Sequence, residues 1–565
     1  MKRFKTRLPF LDFLGSLKTH GLFGLVLFTF PFVACSSQHS HGQEAITAES
    51  PPVASTVADE VDIAALETYI EQARQDWDVP GLSVTIVHND ETLLCRGFGT
   101  RKAGSEVEVN ADTLFAIASN TKAFTSALLA ILVDEGKLSW DDSVDRYLPW
   151  LRLKDPMARD LRIRDLLCHR SGLGTFSGDL VWWGTKYSPR EVLERAVHLE
   201  PATPFRAGYG YSNLMFLAAG LVIEEVEQKP WSEVLSLRIL KPLKMSRTIS
   251  STQDLANVSN VATPHKTTSN GNLPLEWMNW DNMAAAGGII SSGQDMSQWL
   301  KLQLRHGAFS MENSREKIAT SSTRQDVFPS HLFSKSQSLT MWQAHTPLRV
   351  SESYRATYPS THFRAYGLGW ALADYQGRKM VSHGGGYDGM YSQVALIPEE
   401  GLGIAVLTNS MTGVSPAITY RILDAFLGAE ERDWSAEKLP EFRKSRKSFN
   451  ARIEAAVAAK TEGTSPSHEL NAYTGEYRCP LYGDAKVTME DNTLTLRLLP
   501  NEQLVGRLEH LHYDTFVIRW NREFAWFGAG TANFLASDKG AVDRIELNVP
   551  NDDMWFYEVN LRRQE

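Results

Sequence analysis

The 565-residue sequence lacks the charge pattern that nucleic-acid binding requires. Its formal net charge at neutral pH is −9, and no basic stripe interrupts an ordinary globular composition of 43% hydrophobic and 22% charged residues. This composition argues against nucleic acid as a partner. The chain is also too long for one core of ordinary size, so we expect two folded domains with peripheral segments.

The sequence is poor in cysteine and in metal-binding patterns. Its four cysteines are Cys35, Cys95, Cys168 and Cys479. Their spacing is typical neither of a zinc site nor of a disulfide framework, and no His-Glu-x-x-His occurs. His39 and His41 lie in a polar tail, where histidines are mostly solvated. We therefore expect no metal and no cofactor, and we interpret the last three cysteines as packing residues.

No hydrophobic run near the N-terminus is long enough to favour a permanent membrane helix. The apolar stretch over residues 21–34 is shorter than the ~20 residues that a spanning helix needs, and it contains a proline. It follows a basic segment and ends at Cys35, as in a signal peptide. Residues 32–37 resemble a bacterial lipoprotein cleavage site, with phenylalanine where that family usually has leucine. We expect an exported, periplasmic lipoprotein anchored to the membrane through Cys35; the alternative is ordinary cleavage nearby, leaving a soluble periplasmic protein.

Composition and periodicity divide the chain into five segments. The predicted segments are a signal peptide (1–35), a flexible tether (36–60), an α+β domain (61–428), a linker (429–468) and an all-β domain (469–565). The tether is polar and punctuated by proline. The charged stretch after Gly428 is either a linker or a solvated helix.

The α+β domain is predicted from strands at both of its ends. Strands are predicted over 82–88, 92–98, 391–397 and 402–408, and helices over 63–77 and 416–427. The first two strands flank Asn89-Asp90, which predicts a β-hairpin. Because these elements enclose a mostly helical middle, we expect one antiparallel sheet, built from both ends of the domain and flanked by helices.

The C-terminal region has the alternating pattern of a small all-β domain. Strand-like segments occupy residues 493–498, 516–520 and 555–561. Their short length and regular spacing favour a barrel-like domain of roughly a hundred residues. No repeat of fixed period is present.

A candidate nucleophile, Ser119, lies at the start of the apolar helical run over 113–132, in the motif Ser119-Asn-Thr-Lys122. A serine hydroxyl needs a base within hydrogen-bonding reach, and a residue three positions later lies one helical turn away on the same face. Burial and neighbouring cations can depress the pKa of a lysine enough for it to act as that base. The helix N-terminus also directs free N–H groups towards a reacting carbonyl.

The Ser-x-x-Lys spacing alone is weak evidence, because it recurs at Ser314-Arg-Glu-Lys317 and Ser435-Ala-Glu-Lys438. Both of these segments are strongly charged and lack an apolar helix that could bury the lysine. We interpret them as solvated surface.

Two further segments complete a pattern around Ser119. Tyr211-Ser-Asn213 is the one Tyr-x-Asn in the chain, and a tyrosine beside a lysine can shuttle a proton. His383-Gly-Gly-Gly386 precedes a predicted strand, and its small residues would let a substrate backbone approach the strand edge closely. Taken separately, these would be a packed loop aromatic and a glycine-rich turn.

Together and in this order, the three motifs resemble the serine β-lactamase and penicillin-binding protein superfamily, particularly its class C β-lactamase-like branch. Supporting phrases lie at 166–173, 286–292 and 366–370, and the resemblance covers residues 63–428. It implies an α+β sandwich with the active site between the sheet and the helical half. It also implies a role for each motif residue. Ser119 attacks, Lys122 and Tyr211 transfer its proton, and the N–H groups of Ser119 and Gly386 form the oxyanion hole. Asn213 orients the substrate, His383 helps to hold its carboxylate or carbonyl end, and Gly384 and Gly385 border it.

One departure bears on the substrate. β-Lactamases of this type usually have lysine where this chain has His383, and a neutral imidazole anchors a carboxylate less well. Histidine at that place is found among related D,D-peptidases, D-amino-acid peptidases and esterases. β-Lactam hydrolysis is therefore not the first expectation. We expect an activity of the D,D-peptidase, D-aminopeptidase or esterase type on a small-molecule or peptide substrate, with peptidoglycan fragments among the candidates. The region from Leu470 onward resembles the lipocalin-like accessory domain that follows some of these hydrolases.

Two classes of function remain open. The first is a serine hydrolase that cleaves an ester or a peptide-like amide through an acyl-enzyme on Ser119. The second is an envelope lipoprotein that binds penicillin or peptidoglycan fragments as a sensor and does not turn over. An α/β-hydrolase is a poor third hypothesis, because no Gly-x-Ser-x-Gly elbow occurs.

Overall fold

The computed structural model describes residues 61–268, 271–309 and 331–564. The predicted signal peptide, the tether and Cys35 lie outside the described residues, as do Ser314 and Lys317. Within the described ranges, no helix combines the length and apolar character needed to span a bilayer.

In the described part of the chain, helices predominate between residues 121 and 341, and strands predominate before them and after residue 346. The α-helices are α1 (Ile63–Asp76), α2 (Thr121–Asp134), α3 (Ile163–Leu166), α4 (Asp179–Trp182), α5 (Pro189–Arg195), α6 (Asn213–Glu227), α7 (Trp231–Leu235), α8 (Ala284–Gly287), α9 (Gly293–Leu304), α10 (Lys335–Met341), α11 (Glu352–Thr357), α12 (Val414–Leu427) and α13 (Trp434–Ala458). The strands are β1 (Gly81–His88), β2 (Glu91–Gly99), β3 (Phe115–Ala116), β4 (His265–Thr268), β5 (Gly271–Pro274), β6 (Ile290–Ser291), β7 (Thr346–Leu348), β8 (Arg364–Tyr366), β9 (Ala371–Tyr375), β10 (Arg378–Tyr387), β11 (Met390–Ile397), β12 (Leu402–Thr408), β13 (Gly475–Cys479), β14 (Gly483–Glu490), β15 (Thr493–Leu498), β16 (Val505–His512), β17 (Thr515–Trp520), β18 (Gly530–Ala536), β19 (Val542–Asn548) and β20 (Asn560–Arg563).

The predicted α+β fold is confirmed by one antiparallel sheet with the order β2-β1-β12-β11-β10-β9-β8-β7. Strand β1 pairs with β2 in the predicted hairpin and with β12 from the far end of the domain. Apolar residues of α1 and α12 pack with β1 and β12 in one cluster. The sheet therefore joins both ends of the domain, as the sequence pattern predicted.

Helices α2 and α6 form the buried centre of the helical half. In α2 every residue from Thr121 to Leu132 is buried, including Lys122. A helix that is apolar on all sides belongs in a core and not at a surface, which explains why α2 packs against α6, α8 and α10. This placement carries the predicted lysine into the interior.

The C-terminal strands β13–β20 form a closed barrel, which confirms the predicted barrel-like domain. One predicted strand is wrong in its first half: residues 556–558 form a 3-10 turn, and β20 begins only at Asn560. Glu558 accepts hydrogen bonds from Ser177 Oγ (2.6 Å) and Gly178 N (2.9 Å) of the α+β domain. These contacts hold the segment outside the barrel ladder, although its aromatic residues have high strand propensity.

Helix α13 occupies the charged region between the domains. Of the two alternatives for this region, a linker or a solvated helix, the structure contains the helix. Its start is fixed to the α+β domain, since Trp434 Nε1 donates to Asp424 (2.6 Å) and Trp77 Nε1 donates to Ser435 Oγ (2.9 Å). The interpretation of Ser435-Ala-Glu-Lys438 as solvated surface is wrong for Ser435, which is buried and accepts the Trp77 hydrogen bond. Lys438 bonds with Glu441 and not with Ser435, so this Ser-x-x-Lys is structural.

The barrel and the α+β domain share one hydrophobic cluster. The ring of Trp183 lies 5.4 Å from that of Phe524 and 5.5 Å from that of Phe527, measured between centroids. Asn501 Nδ2 donates to the carbonyl of Trp183 (3.0 Å). The barrel therefore packs directly against the segment that begins with α4.

Candidate active site

Ser119 lies in a 3-10 turn, Ala118–Asn120, immediately before α2. The preceding Ala118 has φ of +46°, a conformation that costs a non-glycine residue about 1 kcal/mol or more. The turn is held against β11, because Asn120 Nδ2 donates to Ser392 Oγ (2.8 Å) and Ser392 Oγ donates to Ile117 O (2.8 Å). These bonds fix the direction in which Ser119 faces the cavity.

Lys122 is fully buried and uses all three of its N–H groups. Its Nζ donates to Ser119 Oγ (2.9 Å), Asn213 Oδ1 (2.7 Å) and Ala286 O (2.9 Å). Burial lowers the pKa of Lys122 to about 7, and the nearby Asp179 opposes part of that change. A large fraction of this lysine is therefore neutral at physiological pH.

A neutral Lys122 can act as a base on Ser119. Loss of one proton leaves two N–H groups, which match the oxygen acceptors of Asn213 and Ala286, and one lone pair directed at Ser119 Oγ. The amine can then accept the hydroxyl proton as the oxygen attacks. The predicted Ser–Lys geometry is thus present in the structure.

Tyr211 lies on the other side of Lys122. The lysine Nζ is 4.9 Å from the centroid of the tyrosine ring. Burial raises the pKa of Tyr211 well above its usual range, and the Ser119 hydroxyl beside it offsets part of that rise. Tyr211 is therefore neutral in the free protein, with an O–H available to donate.

His169 supports the tyrosine from behind. Its ring lies 4.1 Å from the ring of Tyr211, and its Nδ1 accepts the backbone N–H of Ser212 (3.0 Å). The position belongs to the segment 166–173 that carried part of the family resemblance, although sequence reasoning assigned no role to this histidine. Its contacts place it as a positioning residue for Tyr211.

Asp179 is a site residue that sequence reasoning missed. Its carboxyl accepts hydrogen bonds from Asn213 Nδ2 (2.6 Å) and Trp182 Nε1 (2.9 Å), so Asn213 bridges it to Lys122. Burial raises the pKa of Asp179, while these two hydrogen bonds and the charge of Lys122 act in the opposite direction. An aspartate in a run of apolar and aromatic residues was the available signal, because such a residue needs a buried polar partner.

His383 and the three glycines lie within β10, and not in a turn. Strand β10 pairs with β9 over Arg378–Ser382 alone, so no described strand covers the other edge of residues 383–386. That edge borders the cavity in front of Ser119. The structure thus provides the open strand edge that the glycines suggested.

The imidazole of His383 is neutral and fully engaged. Its Nε2 accepts from Tyr366 Oη (2.7 Å), and its Nδ1 lies 2.6 Å from the carbonyl of Gly384. Burial and the charge of Lys122 lower the pKa of His383 to about 3. Direct contact of His383 with a substrate carboxylate stays a prediction, and it would require exchange of one of these partners.

A cavity of about 510 Å³ brings the predicted residues together. Its wall contains the following members of the predicted set: Ser119, Tyr211, Asn213, His383, Gly384, Gly385 and Gly386. Lys122 is not part of the wall, but its Nζ donates hydrogen bonds to two wall residues, Ser119 and Asn213. In the described ranges, no group of three or more His, Cys, Asp or Glu side chains is arranged to hold a metal ion.

Comparison with known families agrees with this geometry. The model of the β-lactamase family matches residues 66–428, well over half of the chain. The chain belongs to the β-lactamase family. Residues 459–563 match a second family, described as a domain of unknown function (DUF3471), which corresponds to the barrel.

Several named proteins and solved structures resemble this chain. An unguisins hydrolase of Aspergillus campestris (strain IBT 28561) is 28% identical over 444 residues, which cover 75% of this chain and 77% of that protein. The octameric penicillin-binding protein homologue from Pyrococcus abyssi superposes with a TM-score of 0.56 at 21% identity, covering 89% of this chain and all of that one. A D-stereospecific amidohydrolase from Streptomyces sp. has a TM-score of 0.50 at 24% identity, covering 65% of this chain and all of that one.

Family membership and the Ser119–Lys122 pair lead to the same conclusion. The protein is a serine hydrolase of the β-lactamase type. The individual roles of Tyr211, Asn213 and Gly386 stay predictions that their positions in the cavity wall permit.

Proposed function

We propose that this β-lactamase-family hydrolase cleaves an ester or a peptide-like amide through an acyl-enzyme on Ser119. The observation that carries the proposal is the 2.9 Å contact between Ser119 Oγ and a fully buried Lys122. Burial lowers the pKa of Lys122 and so reduces the free energy needed to deprotonate it. The lysine of an exposed Ser-x-x-Lys keeps its usual pKa and lacks this advantage.

The reaction follows from the positions of these groups. Lys122 accepts the proton of Ser119 as Oγ attacks the substrate carbonyl carbon, and Tyr211 donates a proton to the leaving oxygen or nitrogen. The proton on Lys122 then passes to the Tyr211 oxygen, so that both groups return to their neutral forms. The C–O or C–N bond then breaks, leaving the acyl group on Ser119 and the leaving group as a neutral alcohol or amine. Water attacks the acyl carbon in the second half, giving the acid and restoring Ser119 with its proton.

An ester or amide suits the site better than a β-lactam. β-Lactams carry a carboxylate, and the residue in the usual anchoring place is His383, which is neutral and already hydrogen-bonded to Tyr366. A neutral and occupied imidazole offers such a carboxylate little stabilisation. The name of the related fungal protein, an unguisins hydrolase, supports hydrolysis as the activity.

A parallel substrate screen tests the proposal. Purified protein is incubated with short-chain p-nitrophenyl esters, D-amino-acid amides, D-Ala-D-Ala peptides and a chromogenic cephalosporin. We expect steady product release from an ester or amide, lost in Ser119→Ala and retained in Ser314→Ala, a control that removes the serine of another Ser-x-x-Lys. Full activity of Ser119→Ala would refute the proposal.

The sensor hypothesis gives a different result in the same experiment. A sensor would form a stable adduct on Ser119 with a penicillin or an activated ester, and intact-protein mass spectrometry would detect that adduct without accumulating product. Steady turnover would refute the sensor hypothesis, because an acyl group that is released from Ser119 in every cycle does not form a lasting adduct.

We also propose that the protein is exported and anchored through a lipid on Cys35, on the basis of its N-terminal sequence. Expression in a bacterial host with labelled palmitate tests this. Label should enter the wild-type protein and not Cys35→Ala, and the variant should move from the membrane fraction to the soluble fraction. Equal labelling of both proteins would contradict anchoring at this cysteine.

A further inference from the structure

The active-site cavity is not built by the β-lactamase domain alone. Three residues of the C-terminal barrel domain, Trp526, Asp553 and Met554, lie in the same wall as Ser119 and Tyr211. The barrel therefore contributes to the surface that a substrate contacts, and its side chains can select among substrates.

Asp553 lies in a rigid loop between β19 and β20. The side chain of Asn551 organises this loop, since its Oδ1 accepts the backbone N–H of Asp553 (3.0 Å) and its Nδ2 donates to Val549 O (2.8 Å) and Met554 O (2.7 Å). A few residues later, Glu558 bonds to Ser177 and Gly178 of the α+β domain. The backbone is thus fixed on both sides of Asp553.

Asp553 is half-buried, and its carboxyl lacks a counter-ion. Among the described residues it accepts no hydrogen bond and forms no ion pair, whereas the adjacent Asp552 pairs with Arg452 (2.7 Å) at the surface. Partial burial, followed by the charge of Asp552, raises the pKa of Asp553 to about 6. Partial removal of a carboxylate from water without a partner costs free energy, and a bound cation would offset that cost.

The charged side chains of the cavity wall include one unpaired carboxylate. Asp179 also lines the wall, but its carboxyl already accepts from Asn213 and Trp182. The guanidinium of Arg364 lies over the ring of Tyr354, 3.9 Å from its centroid, and forms no ion pair with the described residues. An ammonium group entering the cavity can therefore pair with Asp553, the carboxylate of the wall that has no partner.

The apolar wall fits the same kind of ligand. Aromatic side chains that line the cavity include Phe176, Trp182, Tyr209, Trp280, Tyr391 and Trp526. Aromatic faces stabilise a nearby ammonium through their π-systems and also pack against an apolar side chain. The cavity thus combines an anionic group with a surface for an aromatic or aliphatic substituent.

We propose that Asp553 of the barrel binds the protonated amine of the substrate, so that this hydrolase acts on amides or esters of amino acids with a free amino group. The proposal rests on the acyl-enzyme function of Ser119 proposed above. It selects among the open substrate classes: a compound with a free ammonium beside the scissile carbonyl binds more tightly than the same compound without it. Asp553 is the specificity-determining residue in this scheme.

A binding experiment separates this proposal from the catalytic one. Ser119→Ala protein is titrated with phenylalanine amide, in each enantiomer, and with 3-phenylpropanamide, which differs by the absence of the ammonium group. Hydrogen bonds to charged groups are worth about 1.5–3 kcal/mol, so we expect at least roughly tenfold tighter binding of the better amine enantiomer. Calorimetry measures this without turnover.

Two substitutions at adjacent positions locate the effect. Adding Asp553→Asn to the Ser119→Ala protein should abolish the preference for the amine. Adding Asp552→Asn should retain it, because Asp552 is exposed and paired with Arg452 outside the cavity wall. Asp553→Ser replaces the asparagine variant if thermal melting shows that the latter is unfolded.

The outcomes distinguish the two proposals. Three results would overturn the role of Asp553. They are equal binding of the two compounds, no binding of either compound, and a preference for the amine that persists in Asp553→Asn. In an activity assay, a wild-type protein that cleaves esters without favouring amine-bearing amides would do the same while leaving the Ser119 proposal intact. Turnover that persists in Ser119→Ala would instead refute the catalytic proposal and leave the binding result standing.

Discussion

The chemistry of the site depends on how burial changes the protonation of single residues. Lys122 is a lysine without contact with water, and its three hydrogen-bond acceptors include only one carboxamide and no carboxylate. A direct carboxylate partner would hold the lysine in its charged form. Asn213 separates Lys122 from Asp179, and this separation keeps the base near neutrality.

A pH profile checks the neutral-lysine mechanism. Because the pKa of Lys122 is lowered to about 7, the base is protonated and inactive below that pH. We expect kcat/KM to rise through about pH 7 and to level off above it. Lys122→Arg should lose about 10²–10⁴ in kcat/KM, because a guanidinium is never neutral in this range. A profile that is flat between about pH 5 and 9 would contradict this mechanism.

Asp179 is expected to act through Asn213 and Lys122. Asparagine at this position lacks the charge that raises the pKa of Lys122, and it offers one acceptor oxygen to two N–H donors. Asp179→Asn should therefore lower kcat/KM about tenfold, the cost of one buried hydrogen bond, and move the acid limb of the profile to lower pH.

Asp388 supplies a matched control for Asp179. It is also buried and also accepts from indole N–H groups, those of Trp183 (3.2 Å) and Trp280 (2.9 Å), but it does not contact Lys122. Asp388→Asn should leave the position of the acid limb unchanged. An equal displacement in both variants would show that the effect of Asp179 is structural and not specific to the base.

At the scale of elements, the site is the contact between the turn before α2 and the uncovered part of β10. Gly385 is the point of closest approach. A Cβ atom there would lie 2.2 Å from Ile117 O and 2.3 Å from Ser392 Oγ, both of which hold the nucleophile turn. The glycine is needed because two backbone segments meet without room for a side chain.

Much of this arrangement could be predicted from the sequence, because it depends on local patterns. The apolar run around Ser119 predicted a buried helix that carries Lys122, and alternation over 493–498 predicted β15. Residues 556–558 were assigned wrongly, because contacts of Glu558 with residues about 380 positions earlier decide their conformation. Asp553 could not be placed in the site for the same reason: its position depends on how two domains dock, and no local pattern encodes that.

Neighbouring glycines of β10 provide a test of the close approach. Gly385→Ala forces Ile117 and Ser392 to move, and overpacking of this kind costs about 1–3 kcal/mol in the free energy of unfolding. At Gly384 the nearest atom to a Cβ would be Gln393 Oε1, at 3.3 Å, the end of a side chain that can shift. Urea denaturation should show a loss of stability for Gly385→Ala and little change for Gly384→Ala. Equal stabilities of the two variants would contradict the packing described here.

At the scale of the whole molecule, the barrel is part of the enzyme and not an appended module. One hydrophobic cluster includes residues of α2 and α6 together with residues of the barrel strands. The segment from Thr175 to Tyr187 lies between them: Trp555 Nε1 donates to Thr175 O (2.8 Å) and Tyr187 Oη donates to Tyr482 O (2.9 Å). That segment also contains Asp179, so docking of the barrel and the geometry of the active site depend on each other.

This continuity predicts that the two domains unfold together. Domains joined by small polar interfaces unfold independently, whereas a shared apolar core couples them in one cooperative transition. Calorimetry of the full chain should give a single transition, with loss of activity at the same temperature. Two resolved transitions would show that the barrel is stable without its partner domain and would contradict the shared core.

Substitution at the docking contact tests the coupling directly. Glu558→Ala removes both hydrogen bonds to Ser177 and Gly178 and leaves those donors unsatisfied, at a cost of about 1–3 kcal/mol. It should lower the temperature of the entire transition without splitting it. Glu509→Ala breaks an exposed ion pair with Arg519 on the barrel, worth about 0–1 kcal/mol, and should leave that temperature nearly unchanged. A Glu558→Ala protein in which the barrel alone melts earlier would show that the coupling resides in this contact and not in the common hydrophobic cluster.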